Sequence, residues 1–282
     1  MQKSWFVKDL LEWTTRYFRE KGIDEPRLEA EVLLAHILGK NRVYLYTNYD
    51  APVNQHEREK FRESIKRRVK KEPLAYIVGY KEFMSLEFRV SPAVLIPRPE
   101  TELLVENVLD IITESDHARI CDVGTGSGAI AISIAFYNHE ASVYAVDLSE
   151  DAVGIARENA TRHNVNIDFR QGDLLQPFTG EKQFDVIVAN LPYIPENEYR
   201  ELDTGIIRYE PVGALVAPGD GLDLYRRLVP RAFEMLAPGG YLLVEIAYNQ
   251  GAAALNLMQA FKDKEIIKDL AGHDRVVKAR KE

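Results

Sequence analysis

At 282 residues, of which 46% are hydrophobic, the chain has the material for one large or two modest domains with a buried core. A net charge of −8 disfavours a broad, non-specific nucleic-acid surface, and a single cysteine excludes disulfides. The opening segment interrupts its apolar residues with charges too often for a signal peptide, and no apolar run reaches membrane-spanning length, so a soluble protein of the reducing cytoplasm is expected.

Residues 1–72 are predicted to be helical throughout. Asp24 can cap a helix that has Pro26 in its first turn, a stripe from Leu28 to Leu38, and Gly39 as its stop. Between His56 and Glu72, Phe61, Ile65 and Val69 recur every four residues among many Lys and Arg. That pattern is an amphipathic helix whose basic face is either solvated or docks a partner. From Pro73 the texture changes. Phe-Met-Ser-Leu-Glu-Phe-Arg-Val (83–90) alternates like a strand or hairpin, and Pro92, Pro97 and Pro99 then force an extended path. The expected division is a helical domain over 1–72, a linker or hairpin over 73–100, and a third segment over 101–282.

Thr101 is a candidate helix cap, and beyond it strands and helices alternate. Strands are expected at Arg119–Val123, Ser142–Val146, Ile167–Arg170, Phe184–Ala189, Tyr241–Ile246, Glu265–Leu270 and Arg275–Ala279. Cys121, in the apolar run Ile-Cys-Asp-Val, reads as a small buried hydrophobe of the first of them. Alternation of this kind specifies a doubly wound, Rossmann-like α/β fold around a mainly parallel seven-stranded sheet. Only Ala271–Asp274 separates the last two strands, too few residues for a crossover, so the sheet should end in an antiparallel pair. Such an ending distinguishes the methyltransferase variant of the fold from the dinucleotide-binding one.

Two segments carry chemistry. In the first, Asp122-Val123-Gly124-Thr125-Gly126-Ser127-Gly128, three glycines let the backbone turn tightly from a strand into a helix and approach a ligand closely. Asp147 closes the next strand about 20 residues on, the spacing that places a carboxylate on both ribose hydroxyls of an adenosine ligand. The compact G-x-G-x-G loop suits a ligand without phosphates, which points to S-adenosyl-L-methionine, its methionine arm crossing Gly124, Thr125, Gly126, Ser127 and Gly128. Asp173 and Leu174, after the third strand, can meet the adenine amino group and ring; Asp173 is equally well read as a turn residue after Gly172.

The second segment is Asn190-Leu191-Pro192-Tyr193, which closes the buried run Phe-Asp-Val-Ile-Val-Ala. A primary amide is a poor nucleophile because its lone pair is delocalised into the carbonyl. Fixing both of its N–H groups on acceptors turns geometry into rate. The Asn190 side-chain oxygen and the Leu191 carbonyl are suitable acceptors, Pro192 restricts Leu191 to extended dihedrals, and Tyr193 supplies a flat face. Asn190 also adjoins the cofactor. No base or metal is required, and His36, His56, His117, His139, His163 and His273 show no ligand spacing.

With these motifs in view, the chain resembles the bacterial-type release factor glutamine methyltransferases, the HemK or PrmC family, along nearly its whole length. The matching stretches include Leu-Ile-Pro-Arg-Pro-Glu-Thr-Glu (95–102), Asn-Leu-Pro-Tyr-Ile-Pro (190–195), Arg-Tyr-Glu-Pro (208–211), Asp-Gly-Leu-Asp-Leu-Tyr (220–225) and Lys-Asp-Leu-Ala-Gly-His-Asp-Arg (268–275). The resemblance implies a helical N-terminal domain that helps bind the release factor, and methyl transfer from S-adenosyl-L-methionine to the glutamine of its Gly-Gly-Gln loop. The family pattern has a proline where this chain has Leu191. Asn-Leu-Pro-Tyr also resembles the motif of ribosomal RNA adenine methyltransferases, the alternative reading. Those enzymes put their small helical domain last, however, and the acidic balance disfavours a large RNA interface.

Overall fold

The computed structural model describes residues 5–113, 117–181 and 183–282, so the first four residues of the expected helical domain lie outside it. The chain forms two compact units: one runs up to Gly79 and also takes in Asp203–Tyr209, and the other comprises Tyr80–Leu202 and Glu210–Glu282.

The first unit is built from helices α1 (Val7–Glu20), α2 (Pro26–Leu38), α3 (Arg42–Thr47), α4 (Gln55–Val69) and α5 (Leu74–Val78). Helix α1 buries Val7, Leu10, Leu11, Thr14 and Phe18, a stripe at helical spacing. Helix α2 begins one residue later than the Asp24 cap predicts. Glu25 holds the N-cap position without a side-chain bond, because Pro26 has the helical φ built in and no N–H to satisfy. Gly39, with φ of 62°, ends the helix. Helix α4 opens on a reciprocal cap in which Asn54 accepts from the Glu57 N–H and Glu57 from the Asn54 N–H. It buries Phe61, Ser64 and Ile65 and carries Lys66, Arg67 and Arg68 in its last turn.

The second unit starts with a hairpin of β1 (Tyr80–Phe83) and β2 (Leu86–Arg89), turning on Met84 and Ser85, both at positive φ. Next come α6 (Glu102–Ile112), β3 (Arg119–Val123), α7 (Ala129–Tyr137), β4 (Ser142–Asp147), α8 (Glu150–His163), β5 (Asp168–Gln171) and β6 (Phe184–Ala189). A short excursion follows: β7 (Ile194–Pro195), α9 (Glu196–Tyr199), α10 (Thr204–Tyr209), which belongs to the first unit, and β8 (Val216–Ala217). The chain closes with α11 (Asp223–Met235), β9 (Leu236–Glu245), α12 (Gly251–Leu257), β10 (Lys262–Lys268) and β11 (Asp274–Arg280).

Seven strands form one sheet in the order β10-β11-β9-β6-β3-β4-β5. Neighbours from β9 to β5 are parallel, whereas β11 runs antiparallel to both β9 and β10, the ending that the short Ala271–Asp274 connection predicts. Strand residues alternate between two cores: Ile120 packs with the hairpin, α6, α7 and α8, while Cys121 and Val123 pack with α11 and α12. Burial on both faces is why these strands read as nearly continuous apolar runs. Cys121 is fully buried, and burial pushes its thiol well above the usual range. Among the described residues, no helix is long and apolar enough to cross a membrane. The strand order reverses at β3, which lies between β4 and β6, and a sheet of this kind opens a crevice beyond the carboxyl ends of its strands there.

Candidate active site

The turn after β3 is stitched to the end of β4, since the N–H groups of Gly124 and Thr125 both donate to the Val146 carbonyl, at 2.8 and 3.0 Å. Gly124 and Gly126 have φ of 78° and 56°. A Cβ at Gly124 would stand 2.8 Å from Leu191 Cδ2 and 3.6 Å from the Asn190 carbonyl oxygen, so the turns after β3 and β6 touch only because this residue has no side chain. At Gly126 the same construction meets nothing within 4 Å. Space is therefore open over the middle of the loop, where a ligand arm can lie.

A cavity of about 460 Å³ adjoins this loop, in the size range of small-molecule sites. Gly124, Thr125, Gly126, Ser127, Asp147, Asp173, Leu174, Asn190, Leu191 and Pro192 all line it. Gly128 and Tyr193 are not among the lining residues. A Cβ at Gly128 would lie 2.7 Å from Ile132 Cδ1 and 3.2 Å from Ala156 Cβ, so this position seats α7 against α8. The Tyr193 hydroxyl turns away to Glu245, donating to Oε1 at 3.2 Å.

Several polar lining groups already have defined partners. The Asp147 carboxylate accepts from the Gly126 N–H at Oδ2 and from the Ser149 N–H at Oδ1, both at 2.9 Å. Burial raises its pKa, with these backbone donors pulling the other way. Thr125 directs its hydroxyl downward, 2.7 Å to Asp122 Oδ2. Asp122 is fully buried, and its carboxyl is pushed up to about 7 by that burial. Asp173 pairs with the Arg227 guanidinium, and Leu174 holds a positive φ of 50°, uncommon strain for a leucine at a site wall.

Asn190 is anchored from behind, its Nδ2 donating to Thr101 Oγ1 at 3.1 Å. Thr101 stands at the start of α6 as the sequence predicts, but makes no side-chain cap bond there because a 3-10 turn over Pro99–Thr101 leads into α6 and gives Thr101 helical dihedrals; its hydroxyl accepts from Asn190. The Leu191 N–H donates to the Tyr225 hydroxyl at 3.2 Å, and that hydroxyl donates to the Glu245 carbonyl at 2.5 Å. Gln250 Nε2 donates to the Tyr193 carbonyl at 3.0 Å. Gly221 lies so near that a Cβ there would fall 2.1 Å from the same carbonyl.

Several contributors were given no role by the sequence, although Arg98 and Glu210 fall within the stretches 95–102 and 208–211 quoted above. Arg98 lines the cavity and is held by Glu210, whose Oε1 accepts from Arg98 Nη2 at 2.6 Å and whose Oε2 accepts from the Ile96 N–H at 3.3 Å. Asn159 on α8 is fully buried; it accepts from the Arg89 N–H and donates to the carbonyls of Arg89 and Ser127, tying the hairpin to the glycine loop. Glu245 offers one sequence signal, an acid ending a buried apolar strand, as Asp147 does on β4.

Comparison with known proteins agrees with this geometry. Residues 9–79 match the PrmC N-terminal domain, and residues 114–276 match a methyltransferase domain. The release factor glutamine methyltransferase of Geobacter sulfurreducens is 42% identical over 279 residues, covering 98% of this chain and 97% of that protein. The chain belongs to the release factor glutamine methyltransferase family. The Rhodopirellula baltica member is 41% identical over 98% of this chain and 97% of its own length. Among solved structures, the Thermus thermophilus 16S rRNA N2 G1207 methyltransferase, in complex with AdoMet and guanosine, superposes with a TM-score of 0.53 at 19% identity. That match covers 72% of this chain and half of the other, and shows the shared fold. As a methyltransferase of this family, the chain brings its glycine loop and its Asn-Leu-Pro-Tyr segment to one cavity.

Proposed function

We propose that this enzyme transfers a methyl group from S-adenosyl-L-methionine to the side-chain amide nitrogen of the glutamine in the Gly-Gly-Gln loop of peptide chain release factors. The observation that carries the reading is the meeting of Gly124 with Leu191 and the Asn190 carbonyl, which sets the cofactor loop and the amide-binding segment against each other. The cavity suits the cofactor: the floor is open over Gly126, and Asp147 offers carboxylate oxygens at the end of β4 for ribose hydroxyls. Asp173 and Leu174 line the same cavity, which supports their assignment to the adenine.

When bound, the cofactor supplies an electrophilic methyl carbon on a positively charged sulfonium. The protein's own contribution is positional. With Nδ2 committed to Thr101, the Asn190 amide has Oδ1 left to accept from the substrate NH2, and the Leu191 carbonyl accepts the other hydrogen. The substrate proton passes to solvent after transfer. We place the reaction in the cytoplasm, on a protein substrate, with neither membrane nor stable nucleic acid as partner. Mass spectrometry of intact release factor incubated with enzyme and cofactor should find one added methyl on that glutamine. A methyl elsewhere on the factor, or on ribosomal RNA instead, overturns the assignment.

A further inference from the structure

The Asn-Leu-Pro-Tyr segment is held by two side chains that do not line the cavity. On one side of Pro192 the Leu191 N–H donates to the Tyr225 hydroxyl at 3.2 Å. On the other side stands Gln250, 7% exposed, just ahead of α12. Its Nε2 donates to the Tyr193 carbonyl at 3.0 Å and to the Asp220 carbonyl at 3.1 Å, while its Oε1 accepts from the Ala247 N–H at 3.0 Å. One backbone N–H and two carbonyls admit a single orientation of that amide, and both of its N–H groups are engaged.

The loop on which Gln250 leans is itself braced. The Asp220 carboxylate accepts from the Leu222 N–H at 3.1 Å and from Arg226 Nη1 and Nη2 at 2.8 and 2.6 Å. Gly221, at φ of 86°, lies so close that a Cβ there would fall 2.7 Å from Gln250 Nε2 as well as against the Tyr193 carbonyl. Just past Tyr193 the chain leaves for β7 and β8, where the Ile194 N–H donates to the Leu215 carbonyl at 3.0 Å. Gln250 thus stands where the amide-binding segment ends and the excursion begins.

We propose that Gln250 is a positioning residue for methyl transfer, which pins the Tyr193 carbonyl and so keeps the Leu191 carbonyl aimed at the substrate amide. The proposal rests on the glutamine-methylating reading above. Each residue has two soft backbone dihedrals. Pro192 fixes its own φ and restricts Leu191 to extended values, which leaves the segment few ways to turn between its two anchors. With the far anchor released, Leu191 can turn about its own N–Cα bond and swing its carbonyl away from the substrate hydrogen. A misplacement of about 1 Å can cost roughly a hundredfold in rate. Asn190 keeps its separate anchor on Thr101, so the loss is partial.

Gln250→Glu is the direct test, since it keeps the shape and the bond from the Ala247 N–H but turns the donor into an acceptor facing two carbonyl oxygens. At saturating release factor, single-turnover methyl transfer should fall by about tenfold or more. The release factor concentration at half-maximal rate, and cofactor affinity by calorimetry, should stay within about twofold of wild type. Should Gln250→Glu fold poorly, Gln250→Met removes the donors without adding a charge, and the same split is expected. Gly221→Ala pushes on the Tyr193 carbonyl from the loop side. Because both changes act on one carbonyl, the double variant should lose little more than the worse single one. A variant at 250 with the wild-type rate overturns the positioning role, as does a loss of cofactor affinity equal to the loss of rate, or full additivity in the double variant. Wild-type enzyme that leaves the glutamine unmethylated overturns the functional reading and this inference together.

Discussion

Leu191 differs from a proline at its position in the apolar side chain it buries beside Gly124 and in the amide hydrogen it donates to Tyr225. Leu191→Pro keeps the extended backbone and the carbonyl but deletes that donor, while the Tyr225 hydroxyl retains its own bond to the Glu245 carbonyl. Loss of this buried hydrogen bond, with part of the apolar contact, should reduce stability by about 1 kcal/mol or more, read from urea unfolding. Methyl transfer should fall only a few-fold, against a drop of roughly two orders of magnitude for Asn190→Ala, which loses the acceptor itself. If single-turnover rates of the two variants coincide, the Leu191 N–H is as much part of the clamp as the Asn190 side chain.

At the scale of elements, the site is built on strand ends that carry acids: Asp122 on β3, Asp147 on β4 and Glu245 on β9. Each has its pKa raised from its ordinary value, foremost by burial. For Asp122 the folded value of about 7 lies above the unfolded one near 3.8, so between those limits the native state holds a proton that the unfolded state releases. Stability contributed by that proton is complete below the unfolded value and is lost as pH rises through the folded one. Asp122→Asn, neutral at every pH, should flatten the fall in unfolding free energy between about pH 4 and 7, on the order of 1 kcal/mol per pH unit. Urea titrations across that window check the slope, and an unchanged slope would show that Asp122 is ionised in the native state.

At the scale of the molecule, the helical unit closes beyond residue 72, because α5 still contributes Ile77, Leu74 and Val78 to its core, and it draws in Asp203–Tyr209 from far along the chain. The close fit at Gly205, where a Cβ would fall 2.5 Å from the Lys71 carbonyl oxygen, shows how tightly that segment is seated. On the function proposed above, these helices supply a second contact that raises the effective concentration of a weakly held substrate loop. Removing residues 1–79 should therefore lower methylation of the whole release factor far more than cofactor affinity, as calorimetry and a methylation assay on the same sample would show. Equal losses would assign the helical unit to stability rather than to substrate capture.

Local signals made much of this legible before any coordinates. Alternating apolar runs located the seven strands, a short connection set the antiparallel ending, and glycine spacing with Asp147 marked one loop, because periodicity and turn chemistry are properties of neighbouring residues. Boundaries were less secure: β9 starts at Leu236 rather than Tyr241, across an irregular register with β6. What lies beside what was decided by tertiary structure alone. Placing β6 next to β3 brings Leu191 against Gly124, and the start of α6 brings the Thr101 hydroxyl to Asn190. The same packing buries Glu245 beneath Tyr193 and Tyr225. No spacing in the chain encodes those partners, because a hydrogen bond between residues far apart in sequence exists only once the sheet has chosen its strand order.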